Sequence, residues 1–283
     1  MSNIVKPLAV SAHIACAPGE VFCFSLHNKV INLTDNNNQI ITLHSFNNGL
    51  SPMGWSLRHD DFWYLYDLIE RDHVAISQTD RGDLVFGETT LCRQARQLNL
   101  TIQQPFTLQK NVVYTLLSPL KHSTGLFGDL ASLLNQPLNA QLQQFYEQIR
   151  LFLANQPFNL APFIGLGPGL TPTFDDVLVG IFAALYTESS LHPQLANMLT
   201  YLPESKLETL TTKISAAFLT CAFKGTFTLN LLAVISSIRQ YNQNTLAMKK
   251  LLSYGHSSGA DLLLGIWIGT LLLEQDYHHN EVE

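Results

Sequence analysis

Hydrophobic positions along the chain follow two different periods. Up to about Leu117 they come in short β-branched and aromatic runs, VFCFSL, KVINLTD, QIITLHSF, HVAISQ, DLVFGE and NVVYTLL, separated by turn residues. Such runs predict strands. DNNN at Asp35 to Asn38 and TDRGD at Thr79 to Asp83 are the expected hairpin turns. HDDFWYLYDLIERD is the one helical insertion, with Phe62, Leu65, Tyr66 and Ile69 on one face. From about Gly128 the period becomes helical in LQQFYEQIRLFLA, DDVLVGIFAALYTE, LETLTTKISAAFLTCAF, TLNLLAVISSIRQY, NTLAMKKLLSYG and DLLLGIWIGTLLLEQ. Strands and helices are segregated, so the pattern predicts an α+β chain and not a doubly wound sheet. Residues 1–122 form a β-rich N-terminal domain with one inserted helix, and residues 123–283 an all-helical C-terminal domain. The join falls within SPLKHSTGLFGD.

Composition sharpens this picture. Only 13% of the 283 residues are charged while 46% are hydrophobic, against about 25% charged in ordinary soluble domains. Much of the surface is therefore expected to be covered by other subunits, or by self-association when the chain is isolated. A net charge of -6 without any basic cluster argues against nucleic-acid and anionic-membrane partners. The most apolar run, LLLGIWIGTLLL from Leu262 to Leu273, falls well short of the roughly twenty residues that span a bilayer and reads as a buried core helix. The N-terminus has no sustained apolar run, which makes cytoplasmic residence the expectation. Cys16, Cys23, Cys92 and Cys221 lack zinc-site spacing and are expected to be buried free thiols.

Candidate chemistry concentrates in GLGPGLTPTFDD, Gly165 to Asp176. Thr173-Phe-Asp-Asp-Val-Leu-Val-Gly-Ile-Phe182 is echoed by Ser258-Gly-Ala-Asp-Leu-Leu-Leu-Gly-Ile-Trp267 at a constant offset of 85. Thr173 with Asp176, and Ser258 with Asp261, have capping-box spacing, which by itself is a structural feature of helix starts. A cap does not require Gly165, Gly167, Pro168, Gly169 and Pro172 together. Glycines bring backbone N–H groups close to a ligand and prolines fix the loop's shape, as at an anion site on a helix N-terminus. No Lys-Ser or Lys-Thr follows the glycines and no βαβ unit precedes them, so ATP and NAD are disfavoured. Two aspartates would also repel a bare phosphate. A ligand with a carboxylate at one end and an amide or urea NH2 at the other suits the loop: Gly165, Gly167, Gly169, Thr171, Thr173, Ser257 and Ser258 supply donors, and Asp175, Asp176 and Asp261 accept from the NH2. The alternative for Asp175 and Asp176 is a divalent cation such as Mg2+. His256 is a candidate proton carrier, and Lys224, in an apolar helical stretch, a candidate counter-ion or a snorkelling side chain.

GLGPGLTPTFDDVLVGIFAAL, GLSPMGW at Gly49 to Trp55 and YGHSSGADLLLGIWIGTLLL resemble the family of the third subunit of oxamate carbamoyltransferase, over about Lys29 to Gln275. That resemblance implies a cytoplasmic subunit that works with two partner subunits in allantoin breakdown, in a complex interconverting oxalurate plus phosphate with oxamate plus carbamoyl phosphate. Oxalurate carries the carboxylate and urea ends just described. Family members often have Ser-Gly where this chain has Thr173-Phe174, which implies a narrower pocket mouth. A non-catalytic scaffold, a small-anion-binding regulatory subunit and a ligand sensor are the readings from other classes.

Overall fold

The computed structural model describes residues 3–241, 246–253 and 255–280, with 275–280 described by backbone only. It divides into two compact units, Met1–Leu100 and Thr101–Glu283. The first is β-rich and the second predominantly helical, giving the α+β organisation.

The first unit is one ten-stranded sheet. Its strands are β1 (Asn3–Val5), β2 (Ala9–Ser11), β3 (Gly19–His27), β4 (Val30–Asp35), β5 (Ile40–His44), β6 (Gly54–Ser56), β7 (Ile76–Gln78), β8 (Leu84–Phe86), β9 (Thr89–Leu91) and β10 (Gln97–Leu98), with α1 (His59–Glu70) inserted after β6. The order is β1-β9-β8-β7-β3-β4-β5-β6-β2-β10. Most neighbours are antiparallel; β1 with β9, β5 with β6 and β2 with β10 are parallel. The 2.0 and 3.6 periods meet in one core, where Ile31, Leu33 and Leu43 of the sheet pack with Phe62, Leu65 and Ile69 of α1. Tyr66, placed on the same face by its spacing, is only half-buried. The Asp35 to Asn38 turn closes β4 onto β5 with Asn38 at φ 64°, and Asp35 Oδ1 accepts from the N–H groups of Asn37 and Gln39.

GLSPMGW forms the turn between β5 and β6. Ser51 Oγ lies 2.9 Å from His44 Nε2, and the Ser51 N–H donates to that nitrogen. His44 is buried, which lowers its pKa to about 4.

The second unit holds α2 (Lys110–Leu117), α3 (Leu130–Leu134), α4 (Ala140–Leu153), α5 (Thr173–Leu185), α6 (His192–Ala196), α7 (Met198–Tyr201), α8 (Glu204–Leu210), α9 (Lys213–Phe223), α10 (Leu229–Arg239), α11 (Leu246–Leu252) and α12 (Ser258–Asn280). NVVYTLL, read as a strand, is α2: Val113, Leu116 and Leu117 recur at helical spacing and are buried in the helical core. The β-branched pair is local; the period that buries the segment is not. Residues 101–122 accordingly belong to this unit. LETLTTKISAAFLTCAF, read as continuous, breaks at Thr211 and Thr212, where the Thr212 hydroxyl caps α9 by accepting from Ser215 N–H. Asn244, Thr245 and Tyr254 of the expected NTLAMKKLLSYG helix lie outside the described residues. The thiols depart from expectation, because Cys16 and Cys23 are exposed and Cys92 and Cys221 only partly covered.

Every residue of α5 is buried, as befits a helix apolar on all sides. Its main neighbour is α12, and their backbones touch. A Cβ on Gly180 would lie 2.1 Å from Leu262 O, and a Cβ on Gly265 would lie 2.1 Å from Val177 O. One turn further on, a Cβ on Gly269 would lie 2.6 Å from Ala184 Cβ. The offset of 85 seen in the sequence maps Gly180 onto Gly265, Val177 onto Leu262 and Ala184 onto Gly269, so it interchanges the first two contacts. The two helices therefore pack about a local pseudo-twofold axis, side by side and with their N-termini together. No helix among the described residues is long and apolar enough to cross a membrane.

Candidate functional site

The pseudo-twofold brings the two loop-and-helix motifs into contact. Thr171 Oγ1 lies 2.8 Å from Ser258 Oγ, joining the glycine loop to the start of α12. Asp176 and Asp261 sit one turn before the Gly180–Gly265 contact, related by the same axis. The capping boxes read from the sequence do not form at α5. Its N-cap is Pro172, without a side-chain cap, and Thr173 is the first helical residue. The hydroxyls face the seam instead.

Adjacent residues on a helix point about 100° apart, so Asp175 and Asp176 serve different neighbours. Asp175 accepts from Gly165 N–H (2.8 Å), Thr211 Oγ1 (2.5 Å) and Ser215 Oγ (2.6 Å). Burial raises its pKa against those three hydrogen bonds. It ties the glycine loop to the α8–α9 junction, and Thr212 Oγ1 donates to Leu170 O beside it. The N–H of Gly165 is thereby taken up within the fold. No acceptor among the described residues takes the N–H groups of Gly167, Gly169, Leu170 or Thr171. Gly165 and Gly167 have positive φ, and a Cβ on them would meet Leu210 O at 2.1 Å and Thr173 N at 2.3 Å. Gly169, also at positive φ, faces open space.

Across the seam lies a loop that the sequence presented only as the join between domains. In Ser123 to Asp129, Thr124 N–H and Oγ1 both donate to Gly128 O, and Gly125 N–H donates to Asp261 Oδ1 at 3.0 Å. A Cβ on Gly125 would lie 2.1 Å from Thr173 Oγ1, 3.1 Å from Ser257 Oγ and 3.3 Å from Asp261 Oδ2. Three polar groups from both motifs thus converge on the spot that glycine leaves open.

Thr173, Asp176 and Asp261 are 1%, 6% and 0% exposed, and Thr173 Oγ1, Asp176 Oδ2 and Asp261 Oδ2 have no hydrogen-bond partner among the described residues. Burial pushes Asp261 up to about 6, against the Gly125 N–H and the nearby Ser257 and Thr173 hydroxyls. Thr173 is close enough to favour the charged carboxylate but lacks hydrogen-bond geometry. Burial raises Asp176 well above the usual carboxylate range; the Ser258 and Thr171 hydroxyls oppose the shift, and the Asp261 and Asp175 charges add to it. No basic side chain contributes at any of the three aspartates. Asp176 also lines a cavity of about 20 Å³ with Thr171, Val179, Phe218, Phe227 and Leu262, room for one water-sized group.

Among the described residues no cluster of three or more His, Cys, Asp and Glu side chains is placed to hold a metal ion. Asp175 and Asp176, the pair suggested for Mg2+, turn to different hydrogen-bonding neighbours. His256 stands exposed in the turn before α12, and Lys224 is exposed at the C-terminal end of α9. Phe174 does not narrow the mouth, since its buried ring packs edge-on against Phe127 and Phe145 and beside Phe163.

The fold and seam define a two-unit protein whose helical unit carries a duplicated loop-and-helix element around a buried acidic pair. The AllH family N-terminal domain matches residues 9–104, and the oxamate carbamoyltransferase subunit AllH matches residues 163–270. The chain belongs to the AllH family, the AllH subunit of oxamate carbamoyltransferase in allantoin catabolism. No solved structure matches it.

Proposed function

We propose that the α5–α12 seam is the substrate pocket through which this subunit takes part in carbamoyl transfer. One observation carries the reading: three buried oxygens, Thr173 Oγ1, Asp176 Oδ2 and Asp261 Oδ2, lack partners where two glycine-bearing loops meet. Leaving buried polar atoms unpaired costs about 1–3 kcal/mol each, and a ligand that pairs with them removes that cost. Two of the three are carboxylate oxygens, so the floor of the pocket takes a hydrogen-bond donor, the NH2 of an amide or ureido group. The substrate carboxylate lies against the N–H groups of Gly167, Gly169, Leu170 and Thr171 at the mouth. No basic side chain among the described residues acts on the aspartates, so phosphate is held elsewhere in the complex. Leu126, Leu166 and Leu170 stand exposed on the two loops that frame the mouth, and a partner subunit closes over them.

Gly125→Ala tests this reading. Gly125 does not need positive φ, so alanine is compatible with the backbone, and its methyl occupies the point of convergence. The reconstituted complex carrying it is expected to assemble normally and lose at least about tenfold in kcat/KM for oxalurate, roughly 1.4 kcal/mol of transition-state binding. Wild-type turnover in the variant would favour a scaffold role.

A further inference from the structure

We infer that the cavity of about 20 Å³ beside Asp176 is the subsite for the NH2 of the carbamoyl group, and that its walls restrict the subunit to carbamoyl groups whose nitrogen carries no substituent. The inference rests on the pocket reading above and names the place within it where the carbamoyl nitrogen goes.

The polar lining of the cavity is weighted toward acceptors. Asp176, 6% exposed, brings an Oδ2 that has no partner among the described residues. Thr226 Oγ1 spends its hydrogen on Cys221 O at 2.9 Å, which leaves it only lone pairs to offer the cavity. Thr171 Oγ1 shares one hydrogen with Ser258 Oγ at 2.8 Å. No lysine, arginine or histidine among the described residues lines the space. An amide NH2 donates twice and accepts nothing, so it matches this lining. The carbamoyl oxygen does not, because its lone pairs would face the Asp176 carboxyl oxygen. The same lining therefore fixes which end of the carbamoyl group enters.

Size supplies the selection. About 20 Å³ holds one water-sized group, which an NH2 is and an N-methyl group is not. The apolar walls come from separate helices, Val179 of α5 and Leu231 of α10 among them, at 7% and 0% exposed. Walls packed into the helical core do not yield to an added methyl without cost. Thr171 belongs both to this cavity and to the glycine loop whose open N–H groups face the mouth, so the nitrogen subsite adjoins the place proposed for the substrate carboxylate.

The test compares oxalurate with its analogue methylated on the terminal nitrogen, as substrates of the assembled complex with phosphate. Wild-type, Val179→Ala and Leu231→Ala chains are used, with assembly verified for each, and the quantity read is the ratio of the two kcat/KM values within each complex. Wild type is expected to disfavour the methylated substrate by at least about tenfold, the scale on which a packed pocket discriminates one methyl group. Each alanine variant removes wall and is expected to shift the ratio toward the methylated substrate by about tenfold. Equal kcat/KM for the two substrates in wild type would overturn the inference. Rejection of the methylated substrate that neither variant relieves would overturn it as well, by placing the exclusion at another part of the pocket. Failure of the pocket reading is seen separately, as wild-type turnover of oxalurate by Gly125→Ala.

Discussion

Gly265→Ala is expected to destabilise the helical unit by about 3 kcal/mol, the upper end of the usual cost of overpacking. In an exposed helix the same change stabilises, by about 1 kcal/mol. The sign reverses here because the new methyl would lie 2.1 Å from Val177 O and 2.8 Å from Gly180 Cα. Both obstacles are backbone, so no side chain can rotate away and α5 and α12 must separate. Gly180→Ala meets Leu262 O at 2.1 Å and Gly265 Cα at 3.0 Å, and the pseudo-twofold predicts a loss of similar size. At about 2–4 °C per kcal/mol for a unit of this size, thermal melts should drop by roughly 6–12 °C. A melt at the wild-type temperature would mean that the two backbones do not touch.

The second large effect is a pH-dependent stability. Asp261 and Asp176 have raised pKa values in the folded protein, so the fold binds protons that the unfolded chain releases. Their contribution is therefore fully present below the unfolded carboxylate pKa, near 4, and is lost as pH rises through the folded value, about 6 for Asp261. His44 acts in the opposite sense, since its lowered pKa costs stability as pH falls below about 6.5. The difference between wild type and Asp261→Asn isolates the contribution of Asp261. Two pKa units correspond to about 3 kcal/mol, less whatever hydrogen bonding the amide sacrifices. Asp261→Asn is expected to be more stable than wild type by about 1–3 kcal/mol at pH 7.5 and to lose that advantage by pH 4. A helix-capping role for Asp261 predicts instead a loss of about 1 kcal/mol at neutral pH. Denaturant melts across this pH range decide between them.

The duplicated motif was legible in the chain because its spacing is rigid: an offset of 85 that holds for hydroxyl, aspartate and glycine positions marks paired helix starts. That the two meet follows from Gly180 and Gly265, whose missing side chains permit backbone contact. The assignment of Asp175 to the same spot as Asp176 overlooked the turn of the helix, which sends neighbours in sequence to different sides. Thr211 and Ser215, the partners of Asp175, were hidden in a run whose apolar spacing reads as one unbroken helix. Gly125 was hidden differently, since a glycine in STGLFGD has no local signature that separates a linker from a loop folded back onto a helix N-terminus 136 residues away. NVVYTLL was misread because β-branched residues favour strands locally while the helical core takes Val113, Leu116 and Leu117.

A role in carbamoyl transfer requires that ligand reach the buried seam. Calorimetric titration of oxamate into the assembled complex, with wild-type and Thr173→Val chains, tests it directly. Valine keeps the shape of threonine and deletes only the partnerless hydroxyl. Binding to the wild type that weakens about tenfold or more in the variant is the predicted result. Equal affinity for the two complexes, or no binding to either, would contradict it.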